Sequence, residues 1–290
     1  MATFFKSRKR PRGNACALDA GTPREQTPAT MNDNDGHENS INEFDFALIC
    51  EYFSSVERQG PGGDESTLRA LSFVPGVSAD WRIADLGSGT GSSAILLAKR
   101  TGARVEALDL FPAFVEKLRE RAAREGVGER VTAHVASMDA PPFADACFEL
   151  VWSEGAIYNV GFEKGLAAWR RLLKPGGFVA VTDAAWLTDE RPEEIARFWN
   201  EAYPGMATVA ERVAQLQRAG YRLVAAFTLP DACWSENFYA PQREAQRIFL
   251  ERHRGNATAE NLVANQRREA ELWEKYRAFY GYVFFVAQKL

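Results

Sequence analysis

The stretch "RIADLGSGTG", residues 82–91, decides how the rest of the chain reads. Apolar residues run into an acid, Asp85, and then into three alternating glycines, Gly87, Gly89 and Gly91. Glycines without a Cβ let the backbone turn tightly and approach a ligand closely. The "SSAILLAKR" that follows is helical, and the start of a helix offers free backbone N–H groups. A strand, a glycine loop and a helix in this order form one half of a βαβ unit.

Working outward, the rhythm repeats. "RVEALDL" is a second buried strand, and "PAFVEKLRERAAREG" is a helix with Pro112 in its first turn and Gly126 at its end. "RVTAHVAS", "FELVWS" and "GFVAVTDA" are further strands, and "FEKGLAAWRRLLKPGG" is a helix stopped by a Lys-Pro-Gly-Gly turn. Strands alternating with helices of this length predict an α/β fold, a doubly wound and mostly parallel sheet covered on both faces. Past residue 190 the pattern turns helical over 195–203 and 208–220; "YRLVAAFTL" is a strand, and a long helical excursion runs through Arg277. "GYVFFVAQKL" closes the chain as an apolar strand. Before the glycine loop, Phe44, Leu48, Ile49, Tyr52, Phe53 and Val56 recur at helical spacing. "RQGPGG" breaks that helix, and "DESTLRALSF" begins another, with Asp64 as the expected cap.

Composition sets the class. With 46% apolar and 26% charged residues and a net charge of -4, the chain reads as a soluble globular protein. Nothing in that balance points to nucleic acid or an anionic membrane. Cys16, Cys50, Cys147 and Cys233 form no CxxC pair, which argues against a zinc site or disulfide framework and for a reducing, cytoplasmic setting. No apolar run nears the roughly 18 residues of a membrane span. Residues 1–40 differ: the basic "FKSRKRPRGN" precedes a Pro-, Thr-, Asn- and Asp-rich stretch without amphipathic period, so this segment is expected to be a disordered tail. A targeting signal, or a start at Met31, are the other readings of it.

The glycine spacing bears on the ligand. A dinucleotide loop reads GxGxxG, whereas this one reads GxGxG with Asp85 just ahead. A carboxylate there repels a pyrophosphate but suits a cationic amino group, which S-adenosylmethionine carries. Asp109, at the end of the second strand, is placed to accept ribose hydroxyls. At the end of the third, "SMDAPPF" offers Asp139 for the adenine amine and Met138 to pack on the ring. Each acid alone also reads as a turn or cap residue; their succession favours S-adenosylmethionine over a nicotinamide dinucleotide. Ser88, between the glycines, and Leu110, beside Asp109, complete the cofactor set.

With these motifs in place, the sequence resembles the class I S-adenosylmethionine-dependent methyltransferases. "DLGSGTG", Asp109, "SMDAPPF", "FELVWSEGAIYNV" and "LKPGGFVAVTD" match that family's ordered motifs over about residues 80–185. "ICEYFSSVERQGPG", "WSEGAIYNVGFEKGL", "TDERP" and "FFVAQKL" resemble a bacterial small-molecule subgroup of the ubiquinone/menaquinone-methyltransferase-like superfamily. The resemblance implies a Rossmann-like domain over residues 41–290 with seven strands, the last antiparallel, plus N-terminal helices and a helical C-terminal insertion. It fixes the cofactor better than the acceptor. Branches that methylate adenine or glutamine carry an Asp/Asn/Ser-Pro-Pro-aromatic tetrapeptide after the fourth strand; residues 153–156 read "SEGA", which speaks against DNA adenine methylation.

A base is needed if the acceptor is a hydroxyl or a protonated amine. His37, in the tail, His134, within a strand, and His253, after a helix, are poor candidates. Glu154 is the expected base or a ligand of the cofactor's amino group, with Tyr158 and Asn159 beside it in the acceptor pocket. Arg58, in the glycine-rich "ERQGPGG", is expected either to pair with the cofactor's carboxylate or to form a surface salt bridge. Trp186, Trp199, Tyr203, Trp234, Phe238 and Tyr239 read as pocket wall or core, and Asp189 and Glu190 as helix-start charges or site carboxylates. The expected activity is methyl transfer to a small organic molecule. A protein or RNA methyltransferase, supported only by the basic tail, and an NAD-dependent oxidoreductase are the alternatives. A homo-oligomer is compatible with all three.

Overall fold

The computed structural model describes residues 46–290; the tail expected over 1–40 lies outside the described residues. Strand β1 (Arg82–Leu86) is central, parallel to β2 (Arg104–Asp109) on one side and β4 (Phe148–Ser153) on the other. Beyond β2 lies β3 (Val131–Val135), and beyond β4 lies β5 (Leu173–Trp186). A two-residue β6 (Ala207–Thr208) extends the end of β5. The closing strand β8 (Tyr280–Lys289) runs antiparallel between β5 and β7 (Tyr221–Thr228), giving the order β3-β2-β1-β4-β5-β8-β7. The expected seven long strands with an antiparallel last one are thus present, and β6 is the addition.

The strands read as apolar runs because both faces of the sheet are covered. Leu150 and Trp152 point into one core and Val151 into the other, the period-two alternation of a pleated strand. The covering helices are α3 (Ser92–Thr101), α4 (Pro112–Arg124) and α5 (Phe162–Trp169), then α6 (Glu193–Ala202) and α7 (Val209–Arg218). Thr208 and Glu211 close a reciprocal capping box on α7. The N-terminal α1 (Phe46–Ser54) and α2 (Asp64–Ser72) precede the sheet. After β7, α8 (Ala232–Trp234) passes through a π turn, Ser235–Tyr239, into α9 (Ala240–Arg252), and α10 (Ala257–Tyr276) leads to β8. Tyr52 and Phe53 of α1, Phe114 of α4, Phe249 of α9 and Leu262 of α10 share a third buried cluster. That cluster fastens the added helices beside the end of β2.

Two local expectations change. Asp64 is not the cap of α2: Gly63 holds the cap position, no side chain caps the helix, and the Asp64 carboxylate pairs with Arg58 at 2.8 Å. The Lys-Pro-Gly-Gly turn does not separate α5 from β5. The helix ends at Trp169, a 3-10 turn follows over Arg170–Leu172, and Leu173 already pairs with Phe148, the turn being absorbed as a register shift in the ladder.

Candidate active site

Between β1 and β4 the strand order reverses, and in such sheets ligands lodge at the carboxyl ends of the strands at that point. A cleft opens there. Its floor is the glycine loop, one wall comes from Asp109, Leu110, Phe111 and Phe114, and the far wall from Glu154, Gly155, Ala156, Tyr158 and Asn159. Segment 58–61 and the Ser137–Asp139 turn complete the rim.

Gly87 has φ +76°, and a Cβ there would lie 2.4 Å from Ala156 Cβ and 2.6 Å from Met138 Cε. Only glycine lets the two walls meet over the floor. Gly91 serves a different purpose from the one its sequence suggests. At φ +92° it does not line the cleft, and its missing Cβ makes room for Leu118 of α4, 2.5 Å away.

Asp109 lines the cleft while its carboxylate accepts from Gly89 N at 2.9 Å and Phe111 N at 3.0 Å. The acid therefore shapes the glycine loop as well as facing the ligand. Burial raises its pKa above the usual carboxylate range, opposed by those backbone donors. Ser88 lines the floor, and its buried Oγ has no hydrogen-bond partner. Leu110 lines the same wall and is 58% exposed. Met138 packs on Gly87, and Asp139 lies at the rim in an exposed pair with Lys164 at 3.3 Å.

Asp85 departs from its expected place. It does not line the cleft but lies fully buried beneath the loop, accepting from Ser93 Oγ at 2.6 Å, with Oδ1 unpartnered. Burial pushes its pKa up to about 7, with Glu154 and Asp109 adding to the rise. A folded-state value above the unfolded one contributes stability that is full below about 4 and is lost as pH rises towards 7. Asp85→Asn is therefore expected to raise the melting temperature at pH 8 by several degrees and to change it little at pH 4.5. Equal shifts at both pH values would contradict a buried carboxylate that titrates there.

Glu154 is held on both oxygens. Oε1 accepts from Thr67 Oγ1 at 2.7 Å and Trp152 Nε1 at 2.9 Å, and Oε2 lies 3.6 Å from Arg58 Nη1. Arg58, which also pairs with Asp64, is thereby tied to the far wall across the cleft mouth. These contacts suit a positioning residue better than a general base. Glu154→Gln is expected to weaken ligand binding about tenfold by freeing Arg58. Unchanged affinity with lost turnover would restore the base. Tyr158, the other expected catalytic residue, lines the cleft with a buried hydroxyl that has no hydrogen-bond partner, and burial raises its pKa.

Sequence reasoning passed over Gln59. Its Oε1 accepts from Thr90 N at 3.0 Å, while Nε2 donates to Phe53 O and Val56 O at 3.0 Å, clamping the glycine loop to α1. Arg121 adds bonds to Thr90 O and Glu57 O. Only the position of Gln59 beside Arg58 in "ERQGPGG" hinted at this; Thr67 and Arg121 carried no signal. The six aromatic candidates Trp186, Trp199, Tyr203, Trp234, Phe238 and Tyr239 all pack in the cores, and none lines the cleft. Asp189 and Glu190 are exposed and away from it. His134 and His253 pair with Glu106 and Glu51, also outside the cleft.

Comparison with known proteins shows what this geometry is similar to. Residues 83–177 match the model of a methyltransferase domain. The chain carries a methyltransferase-domain match over those residues, and its fold is that of class I methyltransferase structures. Dimethylglycine N-methyltransferase from Parasynechococcus marenigrum is 37% identical over 133 residues, 46% of this chain and 48% of that protein. The chain thus spans about half the length of that relative. A ubiquinone/menaquinone biosynthesis C-methyltransferase, UbiE of Xylella fastidiosa, is 29% identical over 214 residues, 70% of this chain and 80% of that one. An S-adenosylmethionine-dependent methyltransferase from Geobacter sulfurreducens, crystallised with S-adenosylhomocysteine, superposes with a TM-score of 0.72 at 22% identity. The superposition covers 84% of this chain and 98% of the other. Among the described residues no helix is long and apolar enough to cross a membrane.

Proposed function

We propose that this methyltransferase moves the methyl group of S-adenosylmethionine to a small organic acceptor. The observation that carries the reading is the pairing of Asp109 with the glycine loop at the floor of the switch-point cleft, beside the unpartnered Ser88 hydroxyl and the exposed Leu110. In this reading Asp109 takes the ribose hydroxyls, Leu110 and Met138 cover the adenine, Asp139 meets its amine, and Arg58 takes the carboxylate. Gly87, Ser88 and Gly89 allow close backbone approach. Asp85 acts from beneath, favouring a cationic group above the loop through its charge rather than by contact, and Gly91 acts only through packing.

The cofactor supplies a methyl group already activated on a sulfonium. What the chain's own residues must do is orient the acceptor in line and keep water out, and orientation alone accounts for a large share of such accelerations. Segment 57–63, hinged on its glycines and latched by Arg58 to Glu154, is the piece placed to close the mouth. Tyr158 and Asn159 stand on the acceptor side. A small acceptor is supported by relatives whose names specify small-molecule methylation. A reducing, cytoplasmic setting belongs to the same reading, supported by free Cys50, Cys147 and Cys233.

The test is S-adenosylhomocysteine formation from S-adenosylmethionine and a cell extract split by dialysis. Product that depends on the dialysable fraction is the expected result. Product formed only with the retained protein or RNA would overturn the small-molecule assignment.

A further inference from the structure

Behind the far wall of the cleft the chemistry changes. Tyr158 and Asn159 line the cleft, and the buried Tyr158 Oη and Asn159 Oδ1 both lack a hydrogen-bond partner. The Tyr158 ring lies 5.8 Å from that of Tyr203, and Tyr282 stands directly under Gly155, 3.4 Å from where a Cβ would be. Further in, Asp183 is fully buried; its Oδ2 accepts from Tyr203 Oη at 3.1 Å and pairs with Arg212 at 2.7 Å, while Oδ1 has no partner. Glu269, 3% exposed, lies within the same aromatic group, 3.5 Å from Tyr239 Oη. After burial, the Glu269 charge is among the causes that raise the Tyr158 and Tyr282 phenols.

Two cations stand near this wall, and both are already engaged. Among the described residues Arg58 is the one Lys or Arg lining the cleft, and it is engaged by Asp64 and Glu154. Arg212 is engaged by Asp183. A buried carboxylate or phosphate on the acceptor would meet aromatic faces and carboxylates with no cation to spare, at a cost of several kcal/mol. A developing ammonium would meet ring faces, hydroxyls and negative charge, each of which favours it.

We propose that the far wall of the cleft, lined by Tyr158 and Asn159 with Tyr203, Tyr282, Asp183 and Glu269 buried behind them, receives an amine acceptor that carries no anionic group. This rests on the methyltransferase reading above and narrows it to transfer onto nitrogen. The amine enters as its free base, and its lone pair forms the new N–C bond as the C–S bond breaks, that pair remaining on sulfur. The positive charge passes from sulfur to nitrogen, towards the acidic wall, and the product loses its extra proton to water after release.

The experiment titrates benzyltrimethylammonium, benzoate and benzyl phosphate into the full-length protein by calorimetry, with and without S-adenosylhomocysteine. The ammonium is expected to bind at least about tenfold tighter than either anion. Tyr158→Leu is expected to erase that preference while leaving S-adenosylhomocysteine affinity unchanged. Equal or tighter binding of an anion, or no binding of the ammonium up to about 10 mM, overturns the proposal whatever the nucleoside does. Failure of S-adenosylhomocysteine to bind, with the ammonium preference intact, instead overturns the methyltransferase reading and leaves the cation site standing.

Discussion

Asp109→Ala is expected to weaken S-adenosylhomocysteine binding by about 100-fold, because two charge-assisted hydrogen bonds to the ribose are each worth about 1.5 kcal/mol or more. The same change removes the acceptor for Gly89 N–H and Phe111 N–H. Leaving the buried Gly89 donor and the half-buried Phe111 donor without this acceptor costs stability, partly offset because the buried carboxylate no longer has to be desolvated. The net loss should be about 1–3 kcal/mol, a fall of roughly 3–10 °C in melting temperature for a domain of this size. Asp109→Asn keeps an acceptor oxygen and should separate the two effects, with most of the binding loss and less of the stability loss. Calorimetry and thermal melts on the three proteins measure this. Wild-type affinity in Asp109→Ala would contradict the ribose assignment.

The largest stability effect should come from Arg212. Its guanidinium is 2% exposed, and besides Asp183 it bonds Tyr203 Oη at 2.7 Å and Gly205 O at 2.8 Å. Arg212→Leu leaves Asp183 as a buried carboxylate without its counter-charge, which costs about 3–5 kcal/mol. The loss should depend on pH in a definite direction. Burial raises the Asp183 carboxyl to about 6 even with Arg212 opposing, so removing Arg212 moves it higher still. A folded value above the unfolded one means stability that is present at low pH and fades as pH rises through the folded value. At pH 5 both proteins hold Asp183 largely protonated and the gap is small; above about 6 it widens. Melts at pH 5 and pH 8 read this directly, and adding Asp183→Asn to Arg212→Leu should recover most of the loss at pH 8. A gap that does not grow with pH would show that the pair contributes through packing alone.

The pattern of what the sequence disclosed follows from physics. Strands β1 to β5 were legible because a sheet covered on both faces demands continuous apolar runs, and β8 for the same reason. The glycine loop and Asp109 were legible because they are local: a turn needing positive φ, and an acid at the next strand end. Asp85 was misplaced because its direction is set by Ser93, in the first turn of α3, and sequence spacing does not say which side of the loop a carboxylate takes. Glu154 was legible as a residue at the cleft, whereas its contacts with Thr67 and Arg58, far along the chain, were not. The Asp183–Arg212 pair joins β5 to α7 through the core, and no local pattern announces it. Long-range polar contacts of this kind decide what a carboxylate can do, and they appear only once the chain is folded.

The central claim is most directly tested by calorimetric titration of the purified chain with S-adenosylhomocysteine and, in parallel, with NADH. The account predicts one site per chain with a dissociation constant on the order of micromolar for the first and no heat of binding for the second. Binding of NADH without S-adenosylhomocysteine would contradict it, because the glycine loop would then be holding a pyrophosphate above the buried Asp85.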